Sequence, residues 1–99
     1  MGFGQVLEEF EVKQCFSKDW VVYIYNDDTT PIELVVDVLV NIFEYNSHKA
    51  VRFAYEVNDT TGGIVGRYPE KLAMARVKKA LEFIHSKGFK DFRIEAKEV

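Results

Sequence analysis

Residues 26–31 read Asn26-Asp27-Asp28-Thr29-Thr30-Pro31, and the reading of this stretch decides the fold. Asn and Asp favour turns because their short side chains bond the nearby backbone. Before the turn lies an apolar run, Trp20-Val21-Val22-Tyr23-Ile24-Tyr25. Trp20, Val22 and Ile24 share one face of it, and Val21, Tyr23 and Tyr25 share the other. A strand apolar on both faces is central in its sheet or covered on both sides. After the turn, Ile32, Val35, Val36, Leu39, Ile42 and Phe43 recur at helical spacing. Glu33, Asp37, Asn41 and Glu44 make a narrow polar stripe, so the pattern predicts a helix over 32–43. Thr30 is its expected N-cap, with Pro31 at the first helical position and Glu33 completing a capping box. Strand, acidic corner and helix together set one amide and two carboxylates at the mouth of whatever the strand and helix enclose. The same acidity also suits a plain helix N-terminus, where negative charge is favourable.

Outward from this unit, Asn46 or Ser47 caps a second helix to Val57. Ala50, Phe53, Ala54 and Val57 form its apolar face, and His48 in its first turn reads as a solvated surface residue. Asn58 to Gly63 reads as a loop, with Gly62-Gly63 as its turn, followed by a short strand over 64–68. Pro69 opens the longest helix, to about Lys87, with Ala73, Val77, Ala80, Leu81 and Ile84 inward. Lys87 is the expected basic last turn and Gly88 the C′ glycine. Phe92, Ile94 and Ala96 then alternate with Arg93, Glu95 and Lys97 as a last strand. In residues 1–18, Phe10 and Val12 alternate with charged residues, which fits either an extra covering strand or a mobile arm. The expected fold class is α+β: a β-α-α-β-α-β sandwich over 19–99, a small antiparallel sheet with three helices on one face.

Ninety-nine residues, 47% of them apolar, are enough for one domain with a modest core. The single cysteine, Cys15, excludes an internal disulfide. With no secretory leader visible, a reducing, cytoplasmic setting is expected. No apolar run approaches the ~20 residues of a membrane span. The net charge of −3 and the lack of a basic stripe argue against nucleic acid as a partner. Zinc spacing, a phosphate-cradling loop and a nucleophile motif are all missing, so no metal or cofactor is implied. Asp27 and Asp28 could in principle pair as acid and base. Adjacent side chains usually point apart, however, and no further catalytic group declares itself, so a non-enzymatic role is expected.

The pattern Asn26-Asp27-Asp28-x-Thr30-Pro31-x-Glu33-x-Val35-Val36-x-Val38-Leu39 resembles the opening motif of the ClpS family, adaptors that feed N-degron substrates to the Clp protease. The helix ending Glu56-Val57 and the element order match as well, over about Trp20 to Ala96. The same architecture is seen in the C-terminal domain of the ribosomal stalk protein, without the Asn-Asp-Asp corner. The resemblance implies binding of N-terminal Leu, Phe, Tyr or Trp and delivery to a ClpA- or ClpC-type unfoldase through its N-terminal domain. It assigns the peptide's α-ammonium to Asn26, Asp27 and Asp28, with Asn58 at a position where the family has histidine. Thr30, Ile32, Val35, Ala54, Val57 and Phe92 would line the side-chain pocket. Ile32 and Ala54 replace methionines, and Phe92 stands where leucine is usual. Unfoldase docking would fall on Lys71 and Arg76, with Glu70 beside the position where the family is acidic. The alternative is an interaction module that keeps the fold without binding N-termini, self-associating through Val21, Tyr23 and Tyr25.

Overall fold

The computed structural model describes residues 19–99; the alternating segment around Phe10 and Val12, and Cys15, lie outside the described residues. The elements are β1 (Asp19–Tyr25), α1 (Ile32–Asn41), α2 (Ser47–Asp59), β2 (Gly62–Pro69), α3 (Glu70–Ser86) and β3 (Ile94–Glu98). The strands form an antiparallel sheet in the order β2-β1-β3, so the doubly apolar strand is the central one. Its register places Val22 opposite Gly66 on one side and Ala96 on the other. Val22 and Ile24 are fully buried and join Val38, Leu39, Ala54, Ile84 and Phe92 in one core. Val21, Tyr23 and Tyr25 on the opposite face are half-buried. The α+β sandwich with helices over one sheet face is therefore the observed architecture.

Several boundaries differ from the expectation, each for a local reason. Helix α1 starts at Ile32 with Pro31 as its N-cap, extended at φ −63°, ψ 144°. Thr30 does not cap it, and no capping box with Glu33 forms, because Pro31 holds the N-cap position and Thr30 stands one residue outside it, its hydroxyl donating to Asp27. The Pro31 carbonyl instead accepts from the Leu34 and Val35 amides. The helix stops at Asn41, two residues short of Phe43. The chain turns there through Glu44, which takes a left-handed φ of 63°, and the Tyr45 amide closes back onto the Leu39 carbonyl. The left-handed position usually given to glycine in such a cap is held here by a glutamate.

Asn46 caps α2 by accepting from the Lys49 amide, and the helix runs two residues past Val57. Asn58 is thus a helical residue and not a loop one. Gly62 and Gly63 are the first residues of β2, paired with Tyr25 and Ile24, and not a free turn. Gly62 has φ +149°, and a Cβ there would lie 2.3 Å from the Ile24 carbonyl oxygen, so only glycine lets the two backbones approach. Helix α3 ends at Ser86, and Gly88 has the left-handed φ of 99° expected after it. Strand β3 begins at Ile94, later than the alternation from Phe92 indicates. Phe92 precedes it, with its ring committed to the core at 2% exposure.

Candidate functional site

The corner after β1 is clamped on both sides. The Tyr25 amide donates to the Arg93 carbonyl ahead of β3, and the Asn26 amide donates to the Thr61 carbonyl ahead of β2. The central strand therefore delivers Asn26 at a fixed place and height. Asp27 then folds the turn around itself. Its Oδ1 accepts from the Thr29 amide and hydroxyl, both at 2.8 Å, and from the Thr30 amide at 2.7 Å. Its Oδ2 accepts from the Thr30 hydroxyl at 2.9 Å. Burial pushes the Asp27 carboxyl pKa up, but the Thr30 and Thr29 hydrogen bonds outweigh it and hold the pKa below its ordinary value. Asp27 is thus a fixed negative charge and the scaffold of the corner at once.

Three other segments face this corner. Helix α1 brings Ile32 and Val35, one turn apart. Helix α2 brings Ala54, Val57 and Asn58, which share a face by the i, i+3, i+4 rule. Phe92, just before β3, closes the floor. Together with Ile24, Tyr25, Asn26, Asp27 and Thr30 they line one concavity that opens to solvent. Its cavity volume is only about 20 Å³, the room of roughly one water molecule. Its polar side chains are those of Asn26, Asp27, Thr30 and Asn58, with the Tyr25 ring beside them. Val35, Ala54, Val57 and Phe92 are each at most 9% exposed, whereas Ile32 is half-buried at the rim.

The residues singled out by sequence thus converge, with one exception. Asp28 is exposed and is not part of the lining. Ile24 and Tyr25 line the site without having been singled out; the strand alternation that turns Ile24 inward was the available signal. Tyr25 is further tied down by a 3.1 Å hydrogen bond from its hydroxyl to Glu95, and Arg93 stacks 4.1 Å over its ring. Of the residues assigned to docking, Glu70 and Lys71 are exposed at the start of α3. Arg76 lies 3.4 Å from Glu44 and over the Tyr68 ring, with its side chain 18% exposed. Among the described residues no group of His, Cys, Asp and Glu side chains could hold a metal, and no helix is long and apolar enough to cross a membrane.

Comparison with known proteins adds to this geometry. Residues 16–93 match the family model described as ATP-dependent Clp protease adaptor protein ClpS. The chain belongs to the ClpS family. A ClpS adapter protein of Campylobacter jejuni is 32% identical over 78 residues, 79% of either chain. That of Clostridium acetobutylicum is 29% identical over 72 residues, covering 73% of this chain and 71% of its own. Among solved structures, Agrobacterium tumefaciens ClpS2 bound to L-phenylalaninamide superposes with a TM-score of 0.78 at 23% identity, covering 84% of this chain and 99% of that one. The ClpS fold is therefore shared, and the chain is a Clp protease adaptor, not an enzyme.

Proposed function

We propose that this ClpS-family protein binds the N-terminal residue of polypeptides beginning with Leu, Phe, Tyr or Trp, and presents them to a Clp-type unfoldase in the cytoplasm. The observation that carries this reading is one concavity whose lining combines Asn26, Asp27 and Asn58 with Ile32, Val35, Ala54, Val57 and Phe92. An α-ammonium, with a pKa of about 7.7–8.0, is mostly protonated at pH 7 and offers three donors. The side-chain oxygens of Asn26 and Asn58 are acceptors for it, and the ionised Asp27 supplies the opposite charge. Asp28, exposed beside the corner, adds charge at longer range. Agrobacterium tumefaciens ClpS2 was solved bound to L-phenylalaninamide, a ligand with this same pairing of free amine and aromatic side chain.

A cavity volume of about 20 Å³ cannot hold such a side chain as it stands. Entry requires a wall to turn aside, and Ile32 is the aliphatic lining side chain least buried in the site, half-buried where Val35, Ala54 and Val57 are buried. Burying an aromatic side chain removes ~150–250 Å² from water, worth roughly 4–6 kcal/mol before entropic costs. Turning one side chain off its preferred rotamer costs about 0.5–1.5 kcal/mol. The rotamer cost is thus a minor part of the gross gain, against which the cost of association also counts. On the partner side, Glu70, Lys71 and Arg76 on α3 are the proposed contacts to a ClpA- or ClpC-type N-terminal domain. The test is a titration with a short Phe-initiated peptide and its N-acetylated twin. The expected result is binding of the free amine alone; equal affinity for both, or for neither, refutes the reading.

A further inference from the structure

A second hollow lies beside the first. It runs between α1 and α2, is lined by Ile32, Glu33, Val36, Asp37, Val51 and Tyr55, and has a volume of about 560 Å³. Ile32 lines both hollows, so one side chain separates them. Glu33 and Asp37 stand four residues apart on α1, on one wall of the groove, and both are exposed. Neither has an ion-pair or hydrogen-bond partner for its side chain among the described residues. Val51 and Tyr55, 42% and 54% exposed, stand four apart on α2 and form the facing wall. The groove is therefore lined by three aliphatic side chains, two carboxylates without a partner among the described residues, and an aromatic ring.

We infer that this groove takes the side chain of the third residue of the bound polypeptide and prefers lysine or arginine there. The inference rests on the reading that the N-terminal side chain enters the neighbouring pocket. In an extended chain successive side chains point to opposite faces, so residues 1 and 3 point the same way, about 6–7 Å apart. With residue 1 behind Ile32, residue 2 faces solvent and residue 3 descends on the other side of Ile32. Lys and Arg match the groove because they lay an apolar stem on apolar surface and carry a cation at the tip. The tip meets Glu33 and Asp37, or the Tyr55 face. The wider charge pattern agrees. Residues 26–61 hold seven carboxylates against two basic side chains, whereas residues 62–99 hold nine basic against five acidic.

The test is fluorescence anisotropy with C-terminally labelled peptides beginning Phe-Ala-Ala, Phe-Ala-Lys, Phe-Ala-Glu and Phe-Lys-Ala, each beside its acetylated twin. Phe-Ala-Lys should bind about fivefold tighter than Phe-Ala-Ala at low salt, the upper range for one exposed ion pair, with Phe-Ala-Glu weaker than both. Phe-Lys-Ala should stay within about twofold of Phe-Ala-Ala, and the lysine advantage should shrink in about 1 M salt. In the E33Q/D37N double variant the Lys-to-Ala ratio at position three should fall below about two. Equal affinities for Lys, Ala and Glu at position three, with free-amine selectivity intact, overturn the groove while leaving the pocket standing. An equal gain from lysine at positions two and three overturns it in favour of the general acidic field. Loss of free-amine selectivity in every peptide refutes the pocket reading, and the groove with it.

Discussion

Replacing Asp27 should loosen the acidic corner ahead of helix α1, because four hydrogen bonds from Thr29 and Thr30 converge on its carboxylate. In Asp27→Ala the two threonine hydroxyls and the exposed Thr29 amide can turn to water at small cost. The Thr30 amide is part-buried and loses an ionised acceptor, which costs about 1–3 kcal/mol. The sum is about 2 kcal/mol, a fall in melting temperature of roughly 10 °C for a domain of this size. Asp27→Asn keeps an oxygen at the Oδ1 position and should cost less than about 1 kcal/mol. The pH dependence has a definite sign. The folded pKa of Asp27 lies below its unfolded value, so its charge stabilises the fold above about pH 4, and that contribution disappears as pH falls through the folded value. The melting difference between the parent protein and Asp27→Asn should therefore be constant from pH 7 to about 5 and close below about 4. Thermal melts across this range measure it. An Asp27→Ala protein melting within about 2 °C of the parent, or a gap that widens in acid, would refute the scaffold role (a loss of about 0.3 kcal/mol or less is too small for a part-buried amide).

Ile32 is β-branched and stiff, so the pocket should discriminate sharply, with Leu- and Phe-initiated peptides bound and Val- and Ile-initiated ones rejected. Ile32→Met, flexible at the same rim, should raise affinity for Trp relative to Leu in a peptide array, and an unchanged ratio would show that Ile32 is not the gate. Because Asn58 cannot titrate, affinity for a Phe-initiated peptide should be nearly flat from about pH 5.5 to 7 and fall as the peptide amine loses its proton near pH 8. Asn58→His should introduce a drop below about pH 6.5, read from isotherms at each pH; its absence would place residue 58 away from the ammonium. Tyr45 donates to the Val65 carbonyl, and burial, with Tyr68 beside it, pushes its pKa up to about 12. The folded state then holds this proton more tightly than the unfolded chain, so stability should fall as pH rises from about 10 to 12. Tyr45→Phe should remove that alkaline contribution and cost about 1 kcal/mol at pH 7 by leaving the carbonyl unpaired; an identical alkaline melt would show that Tyr45 is not the group.

The elements themselves were legible in the sequence because each carries its own period. Trp20–Tyr25 has both faces apolar, which marks a strand that is central or covered on both sides; the pairing with β2 and β3 decided for the centre. The apolar spacings of α1, α2 and α3, and Gly88 after the last helix, record local helix physics that needs no partner. The Asn-Asp-Asp corner was legible as a turn for the same reason. The inner workings of that corner were not. Thr30 has the chemistry of a cap and Glu33 the spacing of a capping box, yet the helix starts one residue later with Pro31 as N-cap, and the Thr30 hydroxyl serves the Asp27 carboxylate instead. Gly62-Gly63 looks like a turn in one dimension; it is a strand start because β1 lies too close for any side chain. Sequence alone determined the order of the elements and the amide and carboxylate side chains that the corner carries. Only the tertiary structure decided that Asp28 stands outside the lining, that Ile24 and Tyr25 stand inside it, and that the cavity volume is about 20 Å³. Those quantities depend on how separate segments pack. Local periodicity fixes the face a residue occupies along its own element, and the distance between two faces belongs to the pair.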